Sequence, residues 1–170
     1  IRDRANFSGI EIGWLQTVRE IPGFFAVGVI FVLIFMREQT LALLSLVALG
    51  AAAAVTAMFP SFAGLLITTL IGSFGFHYYE TVNQSLQLQW LDKKRAPQII
   101  GWLVAAGSAA SLVAYGLIAI VFKWGGLGYH AVYMTGGGIT FAIAIYCWIA
   151  YPMFPIKIRQ HNRLILRRRY

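Results

Sequence analysis

The residues able to carry chemistry fall into two groups. His77, Glu80 and Gln84 are spaced by three and then four positions, so on a helix they share one face, with Asn83 just beside it. Histidine titrates near neutral pH, and burial raises a glutamate toward the same range. Glu80 next to His77 therefore suits proton transfer, and the neighbouring amides suit hydrogen bonding to a solute. The bland alternative is that this stripe is the wetted end of a membrane helix. Arg19 and Glu20 form the second group, inside the long apolar run 14–36 and just before Pro22 and Gly23. An ionised side chain near the middle of a bilayer costs about 3 kcal/mol on the mildest scale. The pair must then lie at the water interface or face a polar cavity. Trp14, Gln16, Arg19 and Glu20 together suit the lining of an outer cavity or gate. Adjacent helical residues point about 100° apart, so Arg19 and Glu20 are not expected to face one spot.

Other chemistries have little to stand on. No glycine-rich phosphate loop, nucleophile elbow or His-Glu-x-x-His helix occurs. Cys147 is the single cysteine, so there is no disulfide within the chain and no cysteine-based metal site. His77 and Glu80 lack a third ligand at suitable spacing. The expectation is no metal, no cofactor and no enzymatic activity; an intramembrane enzyme would have only His77 and Glu80 to work with.

The elements that hold these residues are membrane helices. Of 170 residues, 59% are hydrophobic and 12% charged, with mean hydropathy +0.70. Soluble domains carry about a quarter charged residues. Aromatic residues, at 15%, suit belts at the two interfaces. Five spans are predicted, at about 12–36, 41–59, 62–83, 98–122 and 129–151, each long enough for the roughly 30 Å hydrocarbon layer. Polar connections separate them: 37–40, then Pro60 and Ser61 with Ser61 as a cap, then a hydrophilic stretch with helix continuing as far as Trp90, then 123–128. No period-two alternation supports a barrel. Short connections make neighbours antiparallel. Small residues thin several helix faces for close packing: Gly50 to Ala54 in the second span, Gly64, Gly72 and Gly75 in the third, Gly101, Ala105, Ser108, Ala109 and Gly116 in the fourth, Gly136 to Gly138 in the fifth.

Charge sets the orientation. The formal net charge is +8, and six of the 14 basic residues fall between positions 157 and 169. Beside a hydrophobic span such a cluster attracts anionic lipid headgroups more readily than nucleic acid. Arg37, Lys93, Lys94, Arg95 and the basic tail share one side; Arg2, Arg4 and Lys123 share the other. The first side is expected to be cytoplasmic, in the cell (inner) membrane, which puts the N-terminus of the chain outside and its C-terminus inside. The chain divides into a transmembrane bundle, 1–155, and a basic cytoplasmic segment, 156–170, with the pattern of an amphipathic surface helix. The absence of a starting Met and of a signal peptide fits a missing upstream span, giving six in all.

With that rhythm of spans the chain resembles the N-terminal half of a major facilitator superfamily transporter lacking its first helix. In the resemblance, residues 12–23 open the second helix, 37–40 form the turn between helices two and three, and 92–97 the turn between four and five. The tail is similar to the start of the linker between halves. Of the family's loop motif, Gly-x-x-x-Asp-Arg-x-Gly-Arg-Arg, only Arg37 remains as a basic residue, and no Gly-Pro antiporter pattern occurs in 98–122. The resemblance implies a secondary transporter moving a small solute by alternating access, with proton coupling as an option. Its partners would be membrane lipids, the solute and the C-terminal six-helix half of the same protein. Arg19, Glu20, His77, Glu80, Asn83 and Gln84 would line the substrate or proton pathway. The alternative, which the reduced loop motif suggests, is a transport-inactive scaffold or assembly factor with the same fold.

Overall fold

A computed structural model describes residues 7–126 and 128–153 of the chain. The basic segment 156–170, with its expected amphipathic helix, and Arg2 and Arg4 lie outside the described residues. The described residues are helical, with no strand. We number the helices α1 (Gly9–Phe24), α2 (Val29–Phe35), α3 (Glu38–Thr56), α4 (Phe62–Trp90), α5 (Ala96–Trp124) and α6 (Tyr129–Ala150). A 3-10 turn, Phe25–Gly28, joins α1 to α2, making one bent helix of 27 residues, Gly9–Phe35. The bend follows Pro22, which has no N–H to donate to the carbonyl four residues back.

Among the described residues four helices are long and apolar enough to cross a membrane: Gly9–Phe35, Glu38–Thr56, Ala96–Trp124 and Tyr129–Ala150. The described residues thus form an all-helical fold with the makings of a membrane bundle. Helix α4 has 29 residues but is not among the four. Its second half, from His77 to Gln89, carries the polar residues that lower its hydropathy.

The helix starts follow local chemistry. Ser8 caps α1: its hydroxyl accepts from the Glu11 N–H at 3.3 Å, and the Glu11 carboxylate accepts from the Ser8 N–H at 2.8 Å. This reciprocal box starts the helix at Gly9, three residues before the expected position. Ser61 caps α4 as expected, accepting from the Gly64 N–H at 3.1 Å. Pro97 fits the first turn of α5, where no N–H is needed.

Helix α3 is central, clasped by α4 on one side and α6 on the other. The contacts run backbone to backbone through glycines. A Cβ on Gly50 would come within 2.5 Å of the Phe141 nitrogen, and one on Gly137 would strike the backbone of Ala54. A Cβ on Gly75 would meet the Ser45 carbonyl oxygen at 2.6 Å. Close approach through small residues is how helices associate without a hydrophobic driving force. Buried hydroxyls turn back to their own helices, Thr56 to the Ala52 carbonyl at 2.7 Å and Thr68 to that of Gly64 at 3.0 Å. Near one end of the bundle, Val29, Leu41, Ala42 and Val82 join α2, α3 and α4 in a buried apolar cluster.

The remaining small-residue expectations divide. Gly72 lies in ordinary contact with Ala52. By contrast, Gly101, Gly116, Gly136 and Gly138 have nothing within 4 Å of a built Cβ. Helix α5 is exposed on every side from Gly101 to Ile120, so its slim face meets no other helix among the described residues.

Gly137→Ala is expected to destabilise the bundle by about 1–3 kcal/mol, the usual cost of forcing extra atoms into a packed interface. Gly136→Ala is expected to be neutral or stabilising by up to about 1 kcal/mol, because only helix propensity changes. Loss of helicity by circular dichroism on heating in detergent separates the two.

Candidate functional site

The polar residues gather along the seam where α1 packs on α4. The contacts rise in step on both helices: Ser73 with Arg19, His77 with Gly23, Tyr78 with Phe25 and Gly28. The two helices therefore run parallel. Pro22 is the midpoint of Gly9–Phe35, and His77 is one residue past the midpoint of Phe62–Trp90. The bend and the imidazole thus meet at the mid-length of both helices.

The local sequence explains this seam. Pro22 is fully buried and interrupts the hydrogen-bonding of α1. The Ser73 hydroxyl donates to the carbonyl of Arg19, three residues before Pro22. Gly23 leaves room for the His77 ring, whose Cε1 is 3.2 Å from where a Cβ would stand. The Tyr78 hydroxyl donates to the Phe25 carbonyl at 3.4 Å and lies 2.9 Å from a Cβ built on Gly28. His77 also meets the Phe76 ring edge-on at 5.2 Å between centroids.

Arg19 and Glu20 differ from expectation in two ways. They do face one spot: the Arg19 guanidinium pairs with the Glu20 carboxylate, with Nη2 to Oε1 and Nε to Oε1 both 3.0 Å. Their Cα–Cβ directions diverge, but both side chains are long enough to fold back toward each other. They also lie deeper than about seven residues into the span. With α1 starting at Gly9 they stand ten and eleven residues in, two or three before the midpoint. Their side chains are 59% and 57% exposed, turned away from the bundle core.

On α4, His77 and Asn83 are half-buried, whereas Glu80 and Gln84 are exposed. Among the described residues no hydrogen bond links the His77 ring to Glu80, so their shared face is a matter of helix register and not of contact. Trp14 and Gln16 are exposed on α1. No group of three or more His, Cys, Asp or Glu side chains among the described residues could hold a metal ion.

A second polar assembly was not expected from the sequence. Glu38, in the first turn of α3, accepts from the Ser85 hydroxyl at 2.8 Å through Oε1 and from the Gln89 amide at 2.7 Å through Oε2. The Gln89 amide also donates to Ser85 at 3.1 Å. Next along, Gln39 donates to the Pro152 carbonyl at 3.0 Å, just beyond the end of α6. The start of α3 and the ends of α4 and α6 are thereby tied at one end of the bundle. The available signal was the i, i+4 pair Ser85 and Gln89 at the end of α4, aimed across the antiparallel turn.

No family model matches the chain, and neither a curated protein nor a solved structure does so.

Glu38→Ala leaves the half-buried Ser85 hydroxyl without its acceptor and the Gln89 amide with Ser85 alone, and is expected to cost about 1–3 kcal/mol. Glu38→Gln keeps one acceptor oxygen and is expected to cost less. Ser73→Ala is expected to cost about 1 kcal/mol, the net value of one hydrogen bond. Thermal unfolding in detergent measures all three.

Proposed function

We propose that the protein is a membrane secondary transporter that moves a small solute by alternating access, and that this chain is part of the N-terminal half of a major facilitator-like fold. The observation that carries the reading is the polar seam at the mid-length of α1 and α4. Arg19 and Glu20 are exposed within the otherwise apolar Gly9–Phe35, and Glu80 is exposed in the polar second half of α4. In this reading Phe62–Trp90 spans the membrane as the third of five helices. At 1.5 Å per residue it is roughly 43 Å long, and with the roughly 30 Å hydrocarbon layer centred on it Glu80 stands roughly 8 Å inside the layer. A charge at that depth is tolerated where it lines a watered cavity and not where it meets lipid. Arg19 and Glu20 bind or guide the solute near the bend, the His77–Glu80 register carries the proton where transport is proton-coupled, and Asn83 and Gln84 offer hydrogen bonds.

Helix α5 supports the need for further helices. It is held by short connections at both ends, and among the described residues it is exposed on every side from Gly101 to Ile120, so further helices can cover one flank and leave another to lipid. A sixth helix of this half and the six-helix C-terminal half would supply the opposite wall. The bend at Pro22 and the close glycine seams give the half the form of a rigid unit able to rock against its counterpart. Arg37, Lys93, Lys94 and Arg95 face the cytoplasm in this arrangement.

The scaffold reading rests on the reduced loop motif, where the carboxylate at the α3 start, Glu38, is engaged by Ser85 and Gln89. Uptake into proteoliposomes by the full-length protein decides between the two. Transport predicts solute flux that falls at least tenfold in Glu80→Gln or Arg19→Ala. A proton-coupled carrier also responds to an imposed pH gradient. Flux unchanged in both variants removes the site assignment. No flux, with a protein partner that co-purifies stably, favours the scaffold.

A further inference from the structure

Four cations gather at one end of the bundle with no use in the seam. Arg37 precedes α3, and Lys93, Lys94 and Arg95 form the turn from α4 into α5; all four are exposed. The Glu38 bonds to Ser85 and Gln89 hold these two segments at the same end, because Glu38 follows Arg37 and Gln89 lies four residues before Lys93. Two carboxylates share this end, and both are turned onto neutral donors. Glu38 accepts from Ser85 and Gln89, and Asp92 accepts from the Lys94 backbone N–H at 2.8 Å. Among the described residues none of the four cations is in an ion pair; the ion pair present is Arg19 with Glu20. At the opposite end the described cation is Lys123, which lies 4.9 Å from the Trp124 ring centroid.

We propose that Arg37, Lys93, Lys94 and Arg95 form a docking site for the headgroup of an anionic phospholipid. The height of the patch selects this partner. It sits where the apolar helices end, which is where lipid phosphates lie. The positive N-terminal end of α5 adds to the field. Above the turn, α5 exposes its apolar flank from Gly101 to Ile120, a surface that acyl chains can follow. A soluble polyanion would match the charge but not the adjoining hydrocarbon. The proposal rests on the helices lying in a bilayer and is independent of transport.

Native mass spectrometry of the full chain, given equimolar phosphatidylglycerol and phosphatidylcholine with matched acyl chains, tests it. The expected result is preferential retention of phosphatidylglycerol. Retention falls about fivefold for each cation removed in the Lys93→Gln, Lys94→Gln, Arg95→Gln series, as about 1 kcal/mol per basic residue requires. The basic stretch 157–169 is unchanged in every variant and contributes equally to all. Lys123→Gln leaves the preference intact, and Lys93→Arg with Lys94→Arg preserves it. Circular dichroism checks that each variant is folded. Equal retention of the two lipids by the wild type, or a triple variant that matches the wild type, overturns the proposal.

Discussion

The structure depends on how closely α3 is approached from both sides. Where Gly50 meets Phe141, Gly137 meets Ala54 and Gly75 meets Ser45, one helix backbone lies against another with no side chain between. In an apolar solvent there is little hydrophobic gain from bringing helices together, so packing and hydrogen bonds must hold them. These glycine contacts supply the packing. The polar tie of Glu38 to Ser85 and Gln89, with Gln39 to Pro152, supplies the hydrogen bonds at one end. Once α3 fixes α4, the seam between α4 and the bent first helix is fixed as well. The charged residues then have their places.

Much of this was legible in the chain. The turn at Pro60 and Ser61, the helical extension to Trp90 and the close packing at Gly50, Gly75 and Gly137 all follow from residue type and spacing. The start of α1 was missed by three residues, although Ser8 and Glu11 stand at capping-box spacing. A polar stretch before an apolar run reads as loop unless that spacing is noticed. The Arg19–Glu20 pair was missed for a different reason. Helix geometry separates neighbouring Cβ directions, but flexible side chains of this length can cancel the separation. The slim face of α5 shows the limit of composition: the same small residues that seat α3 and α6 against each other meet no helix among the described residues in α5. From sequence Glu38 belongs to a turn, because its partners lie 47 and 51 residues away.

The seam combines rigidity with polarity. Pro22 interrupts α1 where Gly23 admits His77, and Ser73 takes up a carbonyl beside the bend. Three features therefore depend on one another: the bend, the room for an imidazole, and the outward placement of Arg19 and Glu20. A helix made only to anchor a protein has no need of any of them. Together they leave Arg19 and Glu20 on α1, like Glu80 on α4, exposed among apolar side chains such as Phe24, Phe25 and Phe76.

The account turns on whether these charged positions meet water. In membrane vesicles carrying the full-length protein with Cys147 replaced by alanine, single cysteines at Arg19 and Glu80 can be offered a membrane-impermeant, water-soluble maleimide. The account predicts that both positions react, and that a cysteine at Leu112, on the apolar flank of α5, does not. Failure of both seam positions to react, while a lipid-soluble maleimide labels them, would contradict it.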